Sequence, residues 1–157
     1  MGTKREDSGE PFGPAIKAGR RPILVAEDDD NDAFLLRRAF QKAGLTQPLV
    51  FTCNGEETVK YLRGEPPYDR EANPLPRLLL LDLKMPIVDG FDVLAWLKTQ
   101  PALSSLPAIV FSSSGEPEDI RKARGLGAAD FQVKPSNFSD LVEFVRQLAS
   151  RWLKDQP

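Results

Sequence analysis

Five side chains stand directly behind short apolar runs. Glu27 and Asp28 follow Ile23–Ala26, Asp82 follows the leucines Leu78–Leu81, Ser112 follows residues 108–111, and Lys134 follows residues 131–133. Three carboxylates brought together repel one another and call for a cation. Their all-oxygen ligand set suits Mg2+ or Mn2+, bound with several waters retained. A carboxylate beside such an ion and an ammonium is a good acceptor for a phosphoryl group, because that transfer needs mainly positioning and charge neutralisation. Asp82 is then the candidate nucleophile, and an aspartyl phosphate the product. Taken singly, each of these residues fits a solvated loop end equally well, Asp82 included.

What would gather them is the order of the elements. The short apolar runs at 23–26, 49–52, 78–81, 108–111 and 131–133 are bounded by turn-forming residues and read as strands buried on both faces. Residues 31–43 place Ala33, Leu36, Phe40 and Ala43 on one helical face, with Asp30 as cap and Gly44 as stop. Asn54, with Glu57 three residues on, opens a helix to about residue 62. Residues 63–77 hold four prolines and no period, a long loop of the functional or mobile kind. Asp89 caps a helix over 90–98 with Phe91, Leu94 and Leu97 inward, and Pro117 opens another that Gly127 ends. Asn137 caps a last helix whose apolar stripe is Leu141, Val145, Leu148 and Trp152. Strand and helix thus alternate five times, which argues an α/β domain with a parallel sheet and helices on both faces. In a parallel sheet every strand end named above lies on the same edge, where open sheets bind ligands. Converging from four segments, the acids, hydroxyl and lysine are hard to read as unrelated loop ends.

Composition removes other chemistries. The chain has 157 residues, 41% hydrophobic and 28% charged, as expected of one globular domain with a real core. A formal charge of −2 leaves no electrostatic footprint for nucleic acid. No apolar run is long enough to span a membrane, and the N-terminus lacks the apolar core of a signal peptide. The lone Cys53 predicts a reducing, cytoplasmic setting, and reads as a packing residue at a strand end. There is no histidine, which excludes Ser-His-Asp and Cys-His catalysis, His-ligated zinc and an internal phosphohistidine. Residues 1–20 read as a disordered tail and 21–157 as the domain.

Asp28, the run Asp82-Leu-Lys-Met-Pro with Asp89-Gly90, Ser112, and Lys134-Pro135 resemble, in order and spacing, the receiver domain of two-component response regulators. The resemblance covers residues 22–153 and implies a flavodoxin-like, doubly wound sheet of strand order 2-1-3-4-5. It implies Asp82 as phosphoacceptor, Asp28 as a direct Mg2+ ligand, Glu27 as a ligand through a water, and the Lys84 backbone carbonyl as a third ligand. It implies Ser112 as the hydroxyl that moves to the phosphoryl group, Phe131 as the aromatic switch, Lys134 as the ammonium that pairs with the phosphate, and a cis peptide bond between Lys134 and Pro135. The family usually has Thr where Ser112 stands and often Tyr at Phe131. The long loop and the segment YLRGEPPY resemble the small single-domain regulators that serve bacterial phytochromes.

The expected function is that of a signalling protein, not an enzyme in the ordinary sense. It accepts a phosphoryl group from a sensor histidine kinase, a bacterial phytochrome among the candidates, and signals through a changed surface to an unknown downstream protein. No output domain is expected after the last helix, and a homodimer through the fourth-helix to fifth-helix face is expected. The alternatives are a receiver-like binding module that is never phosphorylated, and a Mg2+-dependent phosphohydrolase of the haloacid-dehalogenase type. The second wants an acid two residues past the nucleophile, where this chain has Lys84.

Overall fold

The structure, a computed structural model, describes residues 20–154. The expected tail, Arg20 apart, lies outside the described residues. Five strands, β1 (Ile23–Ala26), β2 (Leu49–Thr52), β3 (Leu78–Leu81), β4 (Ala108–Ser112) and β5 (Asp130–Val133), alternate with α1 (Asp30–Lys42), α2 (Gly55–Arg63), α3 (Gly90–Lys98), α4 (Pro117–Gly125) and α5 (Phe138–Trp152). All pairings are parallel and the order is β2-β1-β3-β4-β5, the order the resemblance implies.

Strand periodicity builds the core. Successive side chains point to opposite faces, so the four leucines of β3 divide: Leu78 and Leu80 join one cluster, Leu79 and Leu81 the other. The first cluster lies under α1 and α5, with Leu36, Phe40, Val145 and Leu148; the second lies under α2, α3 and α4, with Tyr61, Val93, Leu94 and Ala123. Because both faces are covered, the central strands are apolar throughout, which is why they show no alternation in the sequence.

Several local expectations shift. The α1 cap is Asp29, not Asp30: Asp29 is extended (φ −93, ψ 115) and accepts from the Asp32 amide, whereas Asp30 is already helical. The fully buried residues of α1 are Leu36, Ala39 and Phe40, with Ala43 packed against the same cluster and Ala33 half-buried. In α3 it is Val93 with Leu94, while Phe91 and Leu97 are half-buried at its flanks. Cys53 is exposed rather than packed, its amide and thiol both donating to Glu57 Oε1 at 3.0 and 3.3 Å. The long loop is tied down: Tyr61 donates to the Pro74 carbonyl (2.8 Å), and Arg70 donates to the carbonyls of Tyr61 (3.2 Å) and Leu62 (2.7 Å). Burial pushes the Tyr61 hydroxyl up to about 12, so this link stays protonated. The cis peptide among the described residues joins Pro66 and Pro67; Lys134–Pro135 is trans, against expectation, and the Lys134 ammonium reaches the acids from that backbone.

Candidate phosphoacceptor pocket

Register places the acids. Ala26 pairs with Leu81, and the Asp82 amide extends the ladder to the Ala26 carbonyl at 3.0 Å. Glu27 and Asp82 therefore leave adjacent strands side by side, and Asp28 follows at the rim. Carboxylate oxygens of Glu27, Asp28 and Asp82 all fall within 4.8 Å of one another. Glu27 and Asp82 are each only 6% exposed, and Asp28 is open to solvent.

Lys134 enters from the far side of the sheet. Its amide donates to the Ser112 carbonyl at 2.7 Å, which fixes its backbone as a continuation of β5. Its Nζ lies 2.8 Å from Glu27 Oε1, 2.8 Å from Asp32 Oδ2 and 3.4 Å from Asp82 Oδ2. Burial pulls the Lys134 pKa down, but hydrogen bonds to Asp32 and Glu27 outweigh it and raise it on balance, so the side chain is an ammonium. For Glu27, burial dominates and pushes its pKa up to about 7, with Lys134 pulling the other way. A buried carboxylate that ionises so reluctantly, beside two more acids, is a donor set that a divalent cation would complete.

The sequence reading missed Asp32. The other candidates stand directly behind strands, whereas Asp32 lies in the first turn of α1. Asp28 precedes the Asp29 cap and lies outside α1, so no helical spacing ties the two acids together and nothing local marks Asp32.

The other expected residues stand as follows. Ser112 is fully buried at the end of β4, and its Oγ accepts from the Ser114 amide at 3.2 Å. Ser114 Oγ in turn donates to Asp119 Oδ2 at 2.8 Å. Phe131, half-buried in β5, pairs with Val110 and packs on the second cluster. The Lys84 amide donates to Asp82 Oδ1 at 3.4 Å, and its side chain is exposed.

The turn behind Asp82 is shaped by close approach. The Gly90 amide bonds the Leu83 carbonyl at 2.9 Å, and a Cβ on Gly90 would collide with the Asp82 carbonyl oxygen. Glycine is what lets α3 start against the pocket floor. Between them Ile87 holds φ +71 and is 75% exposed, an uncommon conformation for a β-branched residue.

A doubly wound parallel sheet with an aspartate pocket and a lysine at its carboxyl edge defines a receiver. The chain belongs to the response regulator receiver domain family, whose model matches residues 23–146. Among curated relatives, it is 34% identical over 131 residues to the probable methanogenesis regulatory protein FilR2 of Methanothrix harundinacea, covering 83% of each chain. It is 30% identical over 132 residues to the response regulator Rcp1 of Synechocystis, covering 84% of this chain and 88% of that one. Among solved structures it resembles the response regulator RPA3017 in red light signalling of R. palustris (TM-score 0.80, 36% identity, 84% of this chain and 93% of that one). It also resembles the phosphorylated cyanobacterial phytochrome response regulator RcpA (TM-score 0.78, 33% identity, 88% and 98%) and the Mn2+-bound form of Rcp1 (TM-score 0.76, 30% identity, 85% and 94%). Among the described residues no helix is long and apolar enough to cross a membrane.

Proposed function

We propose that the protein is a cytoplasmic response regulator that receives a phosphoryl group on Asp82 from a separate histidine kinase and signals by a changed protein-binding surface. The observation that carries this is the pocket itself: Asp82, 6% exposed, sits with Glu27 and Asp28 on one side and the Lys134 ammonium on the other. A phosphohistidine donor must be another protein, since the chain has no histidine.

In this reading an Asp82 carboxylate oxygen attacks phosphorus as the bond to the donor's imidazole nitrogen breaks. Asp28, Asp82, the Lys84 carbonyl and, through a water, Glu27 would hold Mg2+ or Mn2+, which supplies charge neutralisation at the phosphoryl oxygens. Lys134 meets the charge from the β5 side. Ser112 turns from the Ser114 amide to the phosphoryl group, and Phe131 fills the space it leaves, altering the face of α4, β5 and α5. A phytochrome kinase is the first partner to try, because RcpA is a phytochrome response regulator and RPA3017 a response regulator in red light signalling.

The test is phosphorylation by acetyl phosphate and Mg2+, followed by intact mass. One phosphoryl group is expected on the parent, none on Asp82→Asn and none with a chelator present. Undiminished labelling of Asp82→Asn would overturn the assignment.

A further inference from the structure

Lys134 is shared among three carboxylates, and its share is uneven. An ammonium has three donors and no acceptor. Two of its contacts, to Glu27 and Asp32, are 2.8 Å, inside the range of a strong charge-assisted hydrogen bond, while the contact to Asp82 is 3.4 Å, outside it. The residue expected to receive the phosphoryl group is thus the one the lysine serves least.

Asp32 differs from the other two partners. Its side chain is 37% exposed, against 3% for Glu27 and 8% for Asp82, so it stands at the mouth of the pocket. Its position is set by the start of α1, where Asp29 caps the Asp32 amide at 2.9 Å. It is also outside the trio whose oxygens converge as cation ligands, Glu27, Asp28 and Asp82. A cation held by that trio offsets their charge and leaves the charge of Asp32 intact. With the cation in place, Asp32 therefore remains the strongest competitor for Lys134.

We propose that Asp32 is a positioning residue that holds the Lys134 ammonium at the mouth of the pocket and gives it up when Asp82 is phosphorylated, so that the Lys134–Asp32 pair limits how tightly the pocket keeps a phosphoryl group. This rests on Asp82 as the phosphoacceptor. It assigns the pair a role in switching: the lysine moves from Asp32 toward Asp82, and the start of α1 loses an ion pair as the pocket fills.

The experiment measures beryllofluoride affinity at saturating Mg2+ in the parent, Asp32→Asn, Asp32→Glu and Asp30→Asn. Asp30 is exposed and two residues away, and its substitution makes the same charge change. Asp32→Asn is expected to bind about three- to fivefold more tightly, the scale of a partly exposed ion pair. Asp32→Glu should return toward the parent, and Asp30→Asn should stay near it. Equal tightening in Asp30→Asn, or none in Asp32→Asn, overturns the proposal. A second readout needs neither metal nor fluoride: the 15N resonance of the Lys134 ammonium in the metal-free protein should shift in Asp32→Asn and not in Asp30→Asn. If the parent fails to bind beryllofluoride, the Asp82 reading falls. The ammonium resonance then decides separately whether Asp32 holds the lysine, and no shift in Asp32→Asn overturns that too.

Discussion

Glu27 shows how one buried residue can couple the pocket to pH. Burial raises its pKa from 4.5 to about 7, so between these values the folded protein holds a proton that the unfolded chain has released. By linkage the stability this group contributes is fully present below about pH 4.5 and is lost as pH rises through about 7. The metal-free protein should therefore lose stability toward urea across that window, and Glu27→Gln should flatten the trend. A cation demands the ionised form, so Mg2+ binding below pH 7 must expel the proton. Mg2+ affinity should rise from about pH 6 to about pH 8 and then level off, and calorimetry in buffers of different ionisation enthalpy should detect the released proton. A pH-independent affinity would show that Glu27 is already ionised in the fold.

At the scale of elements, the turn from β3 to α3 carries both a constraint and a strain. Gly90 admits no Cβ without contact to the Asp82 carbonyl oxygen and the Leu83 Cα. Gly90→Ala should destabilise the protein by about 2 kcal/mol or more, the range for a forced backbone shift, and should weaken Mg2+ binding because that backbone leads to Asp82 and Lys84. Unchanged urea midpoints would show that the turn relaxes freely. Ile87 presents the opposite case. Its φ of +71 is disfavoured by its branched Cβ, and its side chain is 75% exposed, so it gains little from packing. Ile87→Asn should stabilise the fold by about 1 kcal/mol, since Asn tolerates that region better. A lower thermal midpoint would mean the isoleucine has a contact that outweighs its strain.

On the scale of the whole molecule, β4 and β5 connect the pocket to the face proposed to carry the signal. β4 delivers Ser112 to the pocket, and β5 delivers Lys134 to the pocket and Phe131 to the second cluster. Next to Phe131, Asp130 is held by Arg151 at 2.9 Å and by Arg124 at 4.0 Å, so charged groups of α4, β5 and α5 meet on one face. A phosphoryl group that draws Ser112 inward should alter that face and favour pairing of two copies. Sedimentation should show a dimer with Mg2+ and beryllofluoride and a monomer without them, and Asp82→Asn should remain monomeric throughout. The Phe131 ring resonances should move under the same treatment. A monomer at high concentration in every condition would exclude the dimer, and static Phe131 signals would exclude the aromatic part of the switch.

The elements and their order were legible in the sequence because their signals are local. Apolar runs, caps such as Asn54, Asp89 and Asn137, and the stops Gly44 and Gly127 act over a few residues, and their alternation leaves a parallel sheet as the natural arrangement. A parallel sheet sends every carboxyl end to one edge, so Glu27, Asp82, Ser112 and Lys134 could be grouped before any coordinates. Tertiary structure alone decided how the charges are shared. The Lys134–Asp32 contact joins residues 102 apart and depends on where α1 settles against α5 and on how far β5 carries its lysine. It decided also that Cys53 faces solvent and that α3 buries Val93 rather than Phe91. Spacing along a chain specifies which residues share a face of their own element; which neighbour that face meets is set by packing among all the elements at once.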